Sequence, residues 1–263
     1  MRLCGHADWQ AVKVVALAYP VRLLVVVLGH LCLYVAGTNI AWLLRIPRSG
    51  RLGQAVELAR RWAGILPLGE ILRLAYYLLV PYLILSRGWT SPLDLGLADL
   101  DWIGGVGVAV ALGAGALLLL AWLWRRYARL VERPLPVSQA QWLGQPWGWV
   151  FLLREAVLLE VWWALCRSPM ILLVGPYWGV YAGLAVTFAA ALLNARVRYE
   201  LRMPGYREGV ILTGSVAVLT STLYLFTHNL WLCMALHMVL RVAILGLVRK
   251  SGKGLAGGER PAA

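Results

Sequence analysis

Charge is scarce in this chain. Only 14% of its 263 residues are Asp, Glu, Lys or Arg, against about 25% in a soluble domain. Acids are scarcer than bases, 12 against 25, which gives a formal net charge of +13. The 61% hydrophobic content excludes a disordered chain and argues against a soluble enzyme. The bases fall between long apolar runs. The excess therefore reads as the positive-inside pattern of a membrane protein, and no nucleic-acid partner is expected.

Other absences narrow the chemistry. The four cysteines, Cys4, Cys32, Cys166 and Cys233, form no CxxC pair and read as reduced packing residues. There are four histidines and no HExxH, so no metal site is expected. A P-loop, a Gly-rich phosphate turn and a Ser-His-Asp set are all missing, and no cofactor is expected. No strand signal, repeat or separate soluble domain is visible, and the N-terminus lacks the small-residue cleavage site of a signal peptide.

What is present is a series of apolar spans long enough to cross about 30 Å of hydrocarbon. Leu23 to Leu44 carries no charge. A second span runs roughly from Ile65 to Ser86 with Glu70 and Arg73 inside it, and a third from Trp102 to Trp124. A fourth, roughly Gly148 to Cys166, holds Arg154, Glu155 and Glu160. The fifth is Ile171 to Asn194, and His228-Asn229 divides the remaining apolar run into spans at 209–227 and 230–248. The reading is an all-α, polytopic integral membrane bundle of about seven helices. Residues 1–22 form an N-terminal segment, with 9–20 either an interfacial helix or the start of a tilted first span. Residues 23–147 carry the first three spans, 148–249 a helical core, and 250–263 a disordered basic tail.

Alternate loops are basic. Arginines concentrate in 45–61, 125–147 and 195–208, and Arg249, Lys250, Lys253 and Arg260 follow the last span. The 87–101 loop instead holds Asp94, Asp99 and Asp101. This places the C-terminus in the cytoplasm and the N-terminus outside. Trp and Tyr cluster near the span ends as an aromatic belt. Gly175, Gly179 and Gly183 repeat at i+4, which predicts a close-packing seam, and Gly107, Gly113 and Gly115 thin the third span.

Ionisable groups in hydrocarbon are costly and are functional candidates by default. At 1.5 Å per residue, Glu155 lies about 10 Å and Glu160 about 18 Å from the cytoplasmic end of span four. On span seven, Arg241 lies about 12 Å and His237 about 18 Å deep. Glu160 thus matches His237 in depth, and Glu155 matches Arg241. His237 and Arg241 are i, i+4 and share a face, as do Glu160 and Arg167 at i, i+7. Arg196 stands at the cytoplasmic end of span five. Two readings of this pattern stand side by side: a buried glutamate that activates water with a histidine to polarise it, and a charge pair that locks two helices. Glu70 and Arg73 read as a mutually neutralising pair, and His30 as a packing residue.

The segment Leu223 to Arg241, LYLFTHNLWLCMALHMVLR, resembles the last motif of the CPBP family of intramembrane proteases, the group of CAAX prenyl protease 2 and bacteriocin-processing proteins. That motif is a T-G-[SN]-L-W turn followed by a helix with H-x-x-x-N. Thr227, Asn229, Leu230 and Trp231 fit the turn, with His228 in the usual Gly place. His237 fits the histidine, and Arg241 replaces the Asn. The family's E-E-x-x-x-R motif is distorted here into REAVLLEVWWALCR, in which Glu160 matches better than Glu155. The F-x-x-x-H motif is missing, and Arg196 falls roughly where its histidine would lie. The resemblance covers about residues 148–249.

The resemblance implies a glutamate and histidine site, here Glu160 and His237, with Glu155, Arg241 and Arg196 as further candidates. An arginine in place of a histidine stabilises an oxyanion but does not act as a base. A degenerate site then implies a binding role, as an accessory or scaffolding subunit beside other membrane proteins in a bacterial inner membrane. An active peptidase with a divergent site is the alternative. A reporter fused after Lys253 is expected to read cytoplasmic and one placed near Asp94 external; the same side for both would mean a span count wrong by one.

Overall fold

A computed structural model describes residues 5–43, 68–130, 143–204 and 206–256. Among them are eight helices and no strand. They are α1 (Gly5–Leu43), α2 (Leu68–Ser86), α3 (Trp102–Leu130), α4 (Gly148–Val174), α5 (Pro176–Leu193), α6 (Ala195–Arg202), α7 (Arg207–Thr227) and α8 (Leu230–Ala256). Six of them contain a stretch long and apolar enough to cross a membrane, from Tyr19–Leu43 in α1 to Leu230–Arg249 in α8. The second helix adds a shorter apolar stretch, Tyr76–Ser86. The protein is an all-α, polytopic membrane bundle of about seven helices.

Local chemistry sets the helix ends. Asp101 begins α3, accepting the Gly104 N–H at 3.1 Å, and Asn229 begins α8, accepting the Leu232 N–H at 3.1 Å. Gly175, at φ +84°, turns the chain between α4 and α5, and Pro176 follows as the first residue of the next helix. The seventh helix ends at His228, which adopts a left-handed φ of 46°.

Several boundaries differ from the sequence reading. Residues 9–20 are not a separate interfacial helix; α1 runs unbroken from Gly5 through Pro20 to Leu43. Proline lacks one backbone donor and does not end the helix here. Ile171 to Val174 belong to α4, not to the fifth span. The apolar run continues past the real break, so hydropathy does not mark it; the left-handed Gly175 does. The last helix continues to Ala256, seven residues into the segment read as a disordered tail, because extension adds one hydrogen bond per residue to an existing helix. The Glu70 side chain and the 45–61 arginines lie outside the described residues.

The chain divides into two compact units, Met1–Leu95 with Val161–Arg196, and Gly96–Glu160 with Val197–Ala263. This division does not follow residue 147: α3, from the N-terminal part, packs with α7 and α8.

In the first unit α1 packs on α5. Asn39 fastens the end of α5, donating to the Leu193 carbonyl at 3.1 Å and accepting the Ala195 N–H at 2.6 Å. Tyr34, Tyr76 and Tyr77 surround Trp162, with ring centroids 5.2–6.1 Å from the indole. Tyr76 also donates its hydroxyl to the His30 backbone carbonyl at 2.6 Å, and the His30 ring lies edge-on to the Tyr76 ring with centroids 6.5 Å apart. The glycine seam lies against α4. A Cβ at Gly179 would meet the Ile171 backbone and the Met170 carbonyl carbon, and one at Gly183 would meet the Arg167 backbone. Gly175 makes no such contact and serves the turn.

In the second unit Gly105 and Gly113 admit Leu232 and Leu236: a Cβ there would stand 2.8 Å and 2.9 Å from their Cδ1 atoms. Gly107 and Gly115 face open space. The loop before α3 clasps the α7–α8 turn. Gly96 accepts the Leu230 N–H at 2.8 Å, and its Cα approaches the His228 carbonyl too closely for any side chain.

Backbone does not yield as a side chain does, so Gly179→Ala is expected to destabilise the folded protein by about 1–3 kcal/mol. Gly107→Ala, into open space, should change stability by less than about 1 kcal/mol. Unfolding midpoints in detergent would decide; equal midpoints for the two variants would refute the seam.

Candidate functional site: a buried carboxylate–imidazole pair

The second unit gathers its polar side chains inside. On α4, Glu155 and Glu160 sit five residues apart on the buried stripe that also contains Leu152 and Ala156. On α8, His237 and Arg241 follow at helical spacing between Cys233 and Leu245, all buried. Glu160 and His237 are each 0% exposed, and Arg241 is 1% exposed.

Glu160 Oε1 and His237 Nδ1 lie 2.9 Å apart. With the carboxylate ionised, Nδ1–H donates and the imidazole lone pair resides on Nε2. The pair expected from depth matching is therefore made. Arg241 and Glu155 both lie within electrostatic reach of the His237 ring. Arg241 donates from Nη2 to Thr213 Oγ1 on α7 at 2.7 Å. One turn beyond His237, Cys233 donates its thiol to the Thr220 carbonyl at 3.3 Å. Thr213 and Thr220 are i, i+7, so one face of α7 supplies both acceptors.

Thr213 was absent from the candidates read in the sequence. A threonine in an apolar helix is common, and its hydroxyl ordinarily bonds back to its own helix, as Thr213 also does with the Gly209 carbonyl at 2.9 Å. Its spacing from Thr220 is no signal either, because Thr220 accepts through its backbone carbonyl, which any residue would offer.

The remaining candidates fall elsewhere. Arg196 opens α6 and is exposed, its backbone N–H bonded to Asn194 Oδ1 at 3.0 Å. The other described histidine of this unit, His228, stands nine residues before His237, about 13 Å away along the helix axis. Its ring packs edge-on to Tyr224, with centroids 5.5 Å apart. Arg167 is 1% exposed and belongs to the first unit, as do buried Thr90 and Ser168, whose hydroxyls lie 3.3 Å apart. No cluster of His, Cys, Asp and Glu with metal-binding geometry occurs among the described residues.

The arrangement fixes a histidine tautomer, holds a carboxylate in a dry interior and sets a permanent cation one turn away. Removing the acceptor of that cation should be felt. Thr213→Val is expected to lower the unfolding free energy by about 1 kcal/mol. Thr222→Val, whose hydroxyl bonds only to the Val218 carbonyl of its own helix, should be close to neutral. Measured in the same detergent, indistinguishable losses would contradict the role given to Thr213.

Comparison with family models, with curated proteins and with solved structures gives no match for this chain, so the chemistry of the pair is read from its own atoms.

Proposed function

We propose that this is a CPBP-like helical membrane protein whose protease site has degenerated, and that it works by binding, as an accessory or scaffolding subunit of a membrane complex. The observation that carries this reading is the fully buried Glu160–His237 pair with Arg241 one turn away. A peptidase needs its carboxylate open to water and to a peptide carbonyl, and neither Glu160 nor His237 has exposed area. Its unit brings no second imidazole near among the described residues, since His228 sits at the far end of α8. Arg241 replaces a neutral amide with a fixed cation, which favours an engaged carboxylate over a basic one.

The turn supports the family resemblance. His228 occupies the usual Gly place of the T-G-[SN]-L-W motif, and its φ of 46° is a conformation that glycine adopts without strain. The basic loops favour a cytoplasmic C-terminus and an external N-terminus, in a bacterial inner membrane.

The 2.9 Å Glu160–His237 contact also favours a second reading, an active glutamate-dependent peptidase that opens to admit water. Glu160→Gln separates the two, since glutamine keeps the shape and loses the base. The binding role predicts a lower unfolding midpoint, weaker retention of companion subunits on purification from native membranes, and no cleavage that depends on Glu160. Loss of a cleavage product with an unchanged midpoint would replace this reading with the peptidase.

A further inference from the structure

The second unit carries a cationic face at the ends of its apolar spans. The span in α3 finishes at Tyr127, and the span in α7 begins at Arg207. These two ends are fastened together: Tyr127 donates its hydroxyl to Glu208 Oε1 at 3.1 Å. Exposed Arg125, Arg126 and Arg129 flank Tyr127 along α3, exposed Arg207 adjoins Glu208, and exposed Arg198 and Arg202 lie on α6, the short helix that leads into α7. Only Glu200 and Glu208 oppose these six arginines on the same segments. Glu208 is already engaged by Tyr127 and by Arg207, the latter at 3.6 Å.

Three features fit this face to the headgroup layer. Arg125 and Arg126 close the apolar stretch of α3 and Arg207 opens that of α7, the span ends at which basic residues meet headgroup phosphates. Exposed Tyr199 and Tyr206 lie among them, and the Arg126 guanidinium rests 5.6 Å from the Trp122 ring centre, its stem along the span. The positive end of the α7 dipole points the same way, and Tyr206 at its N-cap supplies no side-chain cap. Arginine presents paired donors to phosphate oxygens.

We propose that this face selectively binds anionic phospholipid headgroups, with Arg125, Arg126 and Arg129 on one side of the Tyr127–Glu208 bond and Arg198, Arg202 and Arg207 on the other. The occupant is a membrane lipid, because the donors lie at the ends of hydrocarbon-spanning helices and are flanked by interfacial aromatic rings.

The test uses the full chain in detergent micelles, titrated with phosphatidylglycerol or phosphatidylcholine and followed by native mass spectrometry. Phosphatidylglycerol should bind at least about tenfold more tightly than phosphatidylcholine. Replacing either arginine triplet by glutamine should remove most of that preference, and replacing it by lysine should retain much of it. Arg87→Gln, in the acidic loop, should leave the preference intact. On the unaltered chain, salt at about 1 M shortens the screening length to about 3 Å and should abolish the preference. Equal affinity for the two lipids, or a preference that survives both glutamine triplets, would overturn the proposal.

Discussion

A carboxylate and an imidazole inside hydrocarbon must satisfy one another. A charged side chain at mid-membrane costs about 2.5–3.5 kcal/mol even on the gentler insertion scale. The 2.9 Å bond between Glu160 and His237 answers that cost by joining α4 to α8. The contacts beside it then have little freedom. Arg241 meets Thr213 and Cys233 meets Thr220, so two bonds about two helical turns apart fix how α7 lies along α8. A slip of one residue would rotate each donor by about 100° around its helix and break both. Lipid tails are as apolar as leucine and give no hydrophobic reason for helices to associate. Register in this unit comes from polar bonds and from the close approaches at Gly105 and Gly113.

The first unit reaches the same end by different means. Its interior is aromatic: Tyr34, Tyr76 and Tyr77 pack around Trp162, and the phenol hydroxyls find partners on α1. Glycine again permits close contact, at Gly179 and Gly183 against the backbone of α4. Edge and face contacts between rings tolerate small rotations better than a buried ion pair does. The units therefore differ in what would break them. Loss of one side chain removes a single facet of the aromatic cluster, whereas in the second unit it leaves a buried partner unsatisfied.

Much of this was legible in the sequence because hydrocarbon makes few residue types affordable. Span positions followed from apolar length. Depth arithmetic alone paired Glu160 with His237, since only two strongly polar stripes had to find each other. What escaped had weaker signals. Thr213 is indistinguishable in composition from the threonines that bond only to their own helix. The end of α4 fell inside a continuous apolar run, and Gly175-Pro176 marked it more truly than hydropathy did. Of Gly107, Gly113 and Gly115, the glycines noted in the third span, only Gly113 admits a neighbouring side chain, and Gly105, which was not noted, does the same. Arg196 entered through the motif alignment, which counts residues along the chain, and the side chain is exposed.

The α4–α5 turn has a consequence for how the chain is made. The contacts that close this hairpin, from Gly179 to Ile171 and from Gly183 to Arg167, join residues only 8 and 16 positions apart. Helical hairpins with such local contacts close quickly once both arms have left the ribosome. Glu160 is then already laid into the membrane, but its partner His237 is 77 residues further along. At about 5–20 residues per second, synthesis of that interval takes about 4–15 s. During this time the carboxylate has only lipid, water at the translocation site and earlier helices for company. The Glu160–His237 bond therefore forms only when the last helix is made, and the nascent chain passes through a half-assembled stage whose lifetime is set by the speed of translation.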